Sequence, residues 1–144
     1  MRKLYIALLL YWGLVGAVLA QVALTTNIPP GSNTSNLTGS ATFTTGASSA
    51  TLTGASNKWT YICGFVVTSA GTTTAATGTI TVTGTISGTM NFQYVFVSSG
   101  QGVLGIAFGP GCIQSANQNS NIVVNTPAGG AGTAGAVTAW GYTN

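Results

Sequence analysis

Apolar and polar residues alternate over short distances from about residue 48 to residue 144. Within residues 78–100, GTITVTGTISGTMNFQYVFVSSG, the apolar Ile80, Val82 and Ile86 alternate with threonines. Successive side chains of a strand point to opposite faces of a sheet, so this spacing predicts one core face and one hydroxyl face. Because residues 48–144 show no apolar period of 3.6 residues, we expect strands and no helices there.

The neighbouring segments predict further strands. Residues 61–68 are apolar on both faces, with Tyr61, Cys63, Phe65 and Val67 on one side, which is typical of a strand in the middle of a sandwich. The runs VLGIAF, NIVVNT and AVTAWGY predict additional strands. Four alternate positions of one predicted strand form a largely aromatic face: Met90, Phe92, Tyr94 and Phe96. Seven or eight short strands with Gly-rich turns predict a single antiparallel β-sandwich or jelly roll over residues 48–144.

The N-terminal segment has a different pattern. MRK is followed by LYIALLLYWGLVGAVLA, an uninterrupted apolar run that ends at residue 20. Small residues in VLA before Gln21 match a signal-peptidase site, so residues 1–20 predict a signal peptide. The run also approaches the length that spans a bilayer, which makes a retained membrane-anchor helix the alternative. We expect contact with a membrane only if this segment is retained.

Residues 21–47, QVALTTNIPPGSNTSNLTGSATFTTGA, are rich in Thr, Ser, Asn, Gly and Pro. This composition predicts an extended arm between the N-terminal segment and the sandwich. Asn33 and Asn36 each match the N-glycosylation pattern. We expect their modification only in a host that has N-glycosylation.

Charge is the feature that limits the chemistry of this chain. It has three Lys and Arg residues and no Asp, Glu or His, whereas about a quarter of the residues of an ordinary domain are charged. Paired carboxylates, a Ser-His-Asp triad and a His or carboxylate metal site are therefore excluded. We expect no enzymatic activity, no metal and no cofactor. Arg2 and Lys3 lie at the N-terminus, so Lys58 alone provides no phosphate-binding patch for nucleic acid.

Two further features concern cysteine and glycine. An even number of cysteines in an exported chain favours a disulfide between Cys63 and Cys112, and two buried free thiols are the alternative. The segment PAGGAGTAGA, residues 127–136, lacks the Lys-Ser/Thr of a phosphate-binding loop. It predicts a flexible or tightly turned loop between strands, to which we assign no ligand.

The scarcity of charge also predicts self-association. Threonine, which is even more frequent than the 21 glycines, hydrates an outward strand face without charge. Nearly neutral surfaces lack the like-charge repulsion that keeps protein molecules apart. We therefore expect copies of this chain to assemble, and the candidate assembly surface is the aromatic face of Phe92, Tyr94 and Phe96.

Two stretches resemble a family of small phage- and prophage-encoded β proteins. They are KWTYICGFVVTSAGTTTAATGTITVTGTISGTMNFQY and NSNIVVNTPAGGAGTAGAVTAWGY, and the similarity covers roughly residues 50–142. The resemblance implies a jelly-roll domain of a virion surface or capsid-associated protein that forms trimers, as tumour-necrosis-factor-type jelly rolls do. The export signal and the paired cysteines depart from that family.

Three functions are consistent with these features. The first is a self-assembling virion structural protein. The second is an exported subunit of a cell-surface filament or matrix, in which residues 21–47 donate a strand to the next subunit. The third is a secreted module that binds carbohydrate or a host surface, with four candidate stacking residues: Trp59, Tyr94, Trp140 and Tyr142. From the predicted signal peptide we expect the protein to be exported, and to lie at a virion surface, at a cell surface or in the extracellular space.

Overall fold

The computed structural model describes residues 34–71, 73 and 75–144. These residues form two antiparallel sheets that face each other as a β-sandwich, which confirms the all-β prediction. The predicted signal or anchor segment, residues 21–33 of the arm and the Asn33 sequon lie outside the described residues. In the part of the chain that is described, no helix is long and apolar enough to cross a membrane.

Nine strands make up the sandwich. In chain order they are β1 (Ser35–Phe43), β2 (Ser48–Leu52), β3 (Thr60–Ala70), β4 (Ala76–Thr85), β5 (Gly88–Phe96), β6 (Gln101–Ala107), β7 (Ile113–Gln114), β8 (Ile122–Thr126) and β9 (Ala134–Thr143). Sheet I has the order β1-β9-β3-β6, and the two-residue β7 also pairs with β3. Sheet II has the order β2-β8-β4-β5.

The strand pairs are nested along the chain. β4 pairs with β5, β3 with β6, β2 with β8 and β1 with β9, all antiparallel, as in one long hairpin. This hairpin is rolled up, because β9 also pairs with β3 and β8 also pairs with β4. Rolling places β1 and β2 together on one side of the sandwich and leaves β5 and β6 as the edge strands of the other side.

Part of the predicted arm, residues 21–47, belongs to the sandwich as strand β1. Residues 35–43 pair with β9 in an unbroken register from Ser35 opposite Thr143 to Phe43 opposite Gly135. The sandwich therefore begins before residue 48. The strand was missed because its inward positions include Gly39 and Ala41, which produce a weak apolar pattern. Gly39 is needed there, since a Cβ atom at this position would lie 2.2 Å from the backbone oxygen of Thr51 in the opposite sheet.

The core lies between the two sheets. Its buried members come from both sheets and include Phe43, Leu52, Ile62, Phe65, Val67, Ile80, Val82, Tyr94, Phe96, Ile122, Val124 and Val137. The predicted inward positions Ile80 and Val82 are fully buried. Ile86, which the alternation placed on the same face, is 65% exposed. It lies in the turn after β4, where the register with β5 shifts between Val82 and Thr85.

A β-bulge interrupts the alternation of β3. The register with β9 shifts between Ile62 and Gly64, so Cys63 is an extra residue and the inward positions change parity there. Ile62 is buried before the bulge, and Phe65 and Val67 are buried after it. The prediction that Tyr61, Cys63, Phe65 and Val67 share one face is therefore wrong, because a two-residue period does not continue through a bulge.

The bulge carries the disulfide. Cys63 is bonded to Cys112 with an S–S distance of 2.02 Å, which confirms the predicted pairing over the alternative of two free thiols. Cys112 lies in the connection between β6 and β7, and the backbone N–H of Phe108 donates a hydrogen bond of 2.9 Å to the Cys63 carbonyl. The disulfide thus holds this short connection, residues 108–112, against β3.

Replacing both cysteines by serine is expected to lower the free energy of unfolding. The bridge joins residues 49 positions apart, and loop-closure entropy for that span is worth about 4 kcal/mol. Chemical unfolding of the wild type and of the C63S/C112S double variant measures the difference. An unchanged denaturation midpoint would show that other contacts hold the β6–β7 connection.

Candidate functional site

The predicted assembly surface of Phe92, Tyr94 and Phe96 lies on the inner face of β5. Tyr94 is 3% and Phe96 is 1% exposed, and Phe92 packs edge-on against Phe65 of sheet I at 5.2 Å between ring centroids. The Tyr94 hydroxyl is hydrogen-bonded to the Ser69 hydroxyl at 2.7 Å. The assignment of these three residues to an assembly surface is corrected, since sheet I covers them within one chain. Tyr94 is equally unavailable as a stacking residue.

Among the described residues, four large apolar side chains are well exposed: Ile86 lies in the β4–β5 turn, and the other three lie along one edge of the sandwich. Val95 on the outer face of β5 is 53% exposed, Val97 just after it is 40% exposed, and Val103 on the outer face of β6 is 68% exposed. We call β5, β6 and these three valines the β5–β6 side. The exposure of Val95 could have been predicted from the alternation of β5, because odd-numbered residues lie on the face opposite the aromatic residues.

The β5–β6 side also presents strand edges. Within the described residues, β5 pairs only with β4, and β6 pairs only with β3. Neither strand contains a charged residue or a proline, which are the features that commonly block pairing with a further strand. On the opposite side, β1 and β2 are also edge strands, but none of the well-exposed large apolar side chains lies on them. The β5–β6 side is therefore the candidate surface for contact with another molecule.

Aromatic residues gather on a different surface, the outer face of sheet I. Tyr61 of β3 lies opposite Tyr142 of β9, and their rings stack with centroids 4.7 Å apart and planes 12° apart. Trp59 precedes β3 and exchanges two backbone hydrogen bonds with Asn144, at 2.9 and 3.0 Å. Trp140 lies two residues before Tyr142 on β9. Trp59 and Trp140, two of the four predicted stacking residues, thus lie on the same face as Tyr61 and are partly exposed. Tyr142 is 4% exposed, so it is as unavailable for stacking on a ligand as Tyr94.

The Gly-rich segment at residues 127–136 connects β8 to β9 and continues into β9. Gly130 and Gly132 have φ values of 84° and 74°, which residues other than glycine rarely adopt. The Thr133 hydroxyl donates a hydrogen bond of 2.6 Å to the Gly129 carbonyl. The segment is an ordered turn between strands, as predicted. Asn36 of the second sequon is exposed on β1.

No protein-family model matches this chain, and no curated protein or solved structure is significantly similar to it. Its function must therefore be argued from the β5–β6 side, from the aromatic residues of sheet I and from the charge of the chain.

The stability of this domain is expected to depend on pH only in alkaline solution. The chain has no Asp, Glu or His to titrate below pH 9. Burial, and secondly the neighbouring Tyr61, raise the pKa of Tyr142 above its ordinary value of 10.0. The unfolded chain therefore loses this proton at a lower pH than the folded chain, and the free energy of unfolding falls as the pH rises above about 10.

Urea unfolding at a series of pH values measures this dependence. We expect a constant free energy of unfolding from about pH 5 to 9 and a decline above about pH 10. The Tyr142→Phe variant should show a shallower decline, since it has no proton to lose at that position. An acid transition near pH 4 would contradict the expectation.

Proposed function

We propose that this protein is a non-enzymatic structural protein whose copies assemble through the β5–β6 side. The observation that carries the proposal is the combination of two unblocked strand edges and three exposed valines on one side of the sandwich. Lys58 is the only charged side chain among the described residues. Contact between copies therefore meets no like-charge repulsion on either surface.

The energetics favour such a contact. Complete burial of a valine side chain contributes about 1.5 to 3 kcal/mol, so burying the exposed parts of Val95, Val97 and Val103 contributes about 1 kcal/mol each. Edge strands add backbone hydrogen bonds when another strand pairs with them. Val95 projects outward from sheet II and Val103 outward from sheet I, so a closed ring, in which each subunit contacts two neighbours, would cover both valines as well as the strand edges.

The strand order supports a jelly roll as the finer description of this sandwich. Eight of its strands form nested antiparallel pairs that are rolled into two four-stranded layers, the arrangement expected of a jelly roll. Viral capsid proteins use this architecture. Together with the resemblance of residues 50–142 to phage β proteins, it favours a virion surface or capsid-associated protein, with a trimer as the closed state.

A filament or matrix subunit at a cell surface is the second candidate. It is favoured by the Cys63–Cys112 disulfide, because disulfides persist in oxidising compartments outside the cytoplasm. Strand donation by the whole of residues 21–47 is less well supported, since residues 35–43 already pair with β9. In both proposals the protein is exported, and its membrane contact depends on whether residues 1–20 are retained.

Lysine substitutions test the assembly surface. Val95→Lys and Val103→Lys place charges on the β5–β6 side, and Thr42→Lys places the same charge on an exposed position of β1 as a matched control. We expect the wild type and T42K to form the same oligomer. V95K and V103K should dissociate at least tenfold more readily, because like charges would meet at the contact. Light scattering over a range of concentrations measures the mass of each.

Thermal unfolding of the three variants checks that the fold is intact, since substitutions at exposed positions change stability by about 0.5 kcal/mol or less. A wild type that stays monomeric at all concentrations would refute assembly itself. If the T42K and V95K oligomers dissociated equally readily, the protein would still assemble, but the β5–β6 side would not be its interface.

A further inference from the structure

The outer face of sheet I carries a second surface feature, which the assembly proposal does not use. We define the aromatic platform as the partly exposed Trp59, Tyr61 and Trp140; the buried Tyr142 supports Tyr61 by stacking on its ring. We propose that this platform is a binding site for a neutral saccharide. The platform lies away from the exposed valines: Val103 pairs with Thr68 of β3, whereas Trp140 pairs with Gly64, roughly 13 Å along the strand.

Trp140 forms the floor of the platform. A Cβ atom at Gly64 would lie 2.4 Å from Cζ2 and 2.9 Å from Cε2 of the indole. The ring therefore extends from β9 across the neighbouring strand and occupies the space that a side chain at residue 64 would fill. Trp140 is half-buried. A ring held against the sheet on one side leaves its other side for a flat apolar ligand surface.

The stacked tyrosines stand beside this floor and continue into a row of polar groups. Asn36 of β1 lies opposite Tyr142, Tyr142 opposite Tyr61, and Tyr61 opposite Gln114 of β7. Because Tyr142 is 4% exposed, the groups of this row that a ligand can reach are the two amides and the Tyr61 hydroxyl. Each amide offers both donors and an acceptor, and each phenol hydroxyl can donate or accept. None of these groups is charged.

This chemistry matches a sugar. A pyranose has one face of C–H groups that packs on an aromatic ring and a rim of hydroxyls that pair with neutral donors and acceptors. Aromatic platforms for single-stranded nucleic acid are accompanied by a positively charged groove. Lys58, next to Trp59, is the only charged side chain in the described part of the chain, so such a groove is lacking. The same lack of cations disfavours phosphorylated, sulfated or uronic saccharides.

Binding is tested with the purified full chain and four neutral probes: hexasaccharides of glucose, mannose, galactose and N-acetylglucosamine. Polygalacturonate and a polyproline peptide serve as probes of other classes. We expect saturable binding of at least one neutral hexasaccharide by calorimetry, with quenching of tryptophan fluorescence, and no binding of the other two probes.

Variants locate the site. Trp140→Ala should weaken binding at least tenfold, and Trp140→Phe should retain it within about threefold, because a smaller ring still stacks. Gln114→Ala should weaken binding about fivefold through the loss of an amide partner. Val66→Ala is the matched control: it removes a half-buried apolar side chain from the same face of β3, outside the platform, and should leave affinity unchanged.

The outcomes separate this proposal from the assembly proposal. The V95K variant should bind the hexasaccharide as the wild type does, whatever its oligomeric state. Failure of all four neutral probes to bind at about 10 mM, binding of only the polyproline peptide, or equal affinity of Q114A, W140A and wild type would each overturn the saccharide site.

Discussion

The insertion of β9 between β1 and β3 is the interaction on which the rest of the fold depends. It joins residues from the two ends of the described chain and closes sheet I, so that the inner faces of both sheets meet. Without β9, β1 would have no partner strand, and the outer aromatic residues would not lie side by side. The same rolling of the chain leaves β5 and β6 at one side, with the exposed valines.

The neutral surface is maintained by hydroxyl and amide groups. On the outer face of sheet II, the Ser49 hydroxyl donates to Asn125 Oδ1 at 2.8 Å, and Asn125 Nδ2 donates to the Thr81 hydroxyl at 3.3 Å. Gln93 Nε2 donates to the Thr79 hydroxyl at 3.3 Å on the same face. Such cross-strand pairs support the sheet and keep it hydrated without ions. They carry no charge, so they add no like-charge repulsion at the surface.

The bulge at Cys63 connects the disulfide with the aromatic platform. By shifting the register of β3, it places Gly64 opposite Trp140, so that the residue beneath the indole has no side chain. The extra residue is also the one that is bonded to Cys112. One local irregularity therefore anchors the β6–β7 connection and makes room for the ring. Without the bulge, Cys63 would lie opposite Trp140 in the place of Gly64.

Much of the architecture was predictable from local patterns. The alternation around Ile80 and Val82 predicted strands with one buried face, and the even number of cysteines, together with the predicted signal peptide, favoured the disulfide. Strand β1 was not predictable in this way, because Gly39 and Ala41 weaken its apolar pattern and its pairing partner lies about a hundred residues away in the chain. The platform was predictable only in part: Trp59 and Trp140 were candidates without a known arrangement, whereas Tyr142, also a candidate, is buried.

By itself, the sequence determined the chemical character of this protein: strands instead of helices, and surfaces almost without charge. Composition and a two-residue period are local properties, and they hold whichever strands become neighbours. Only the tertiary structure decided which apolar residues are exposed. Tyr94 and Phe96 formed an apolar face in the sequence, but sheet I covers them, and Val95 and Val103 are exposed instead. The reason is that burial depends on what packs against a strand, and here that is set by pairing between distant segments.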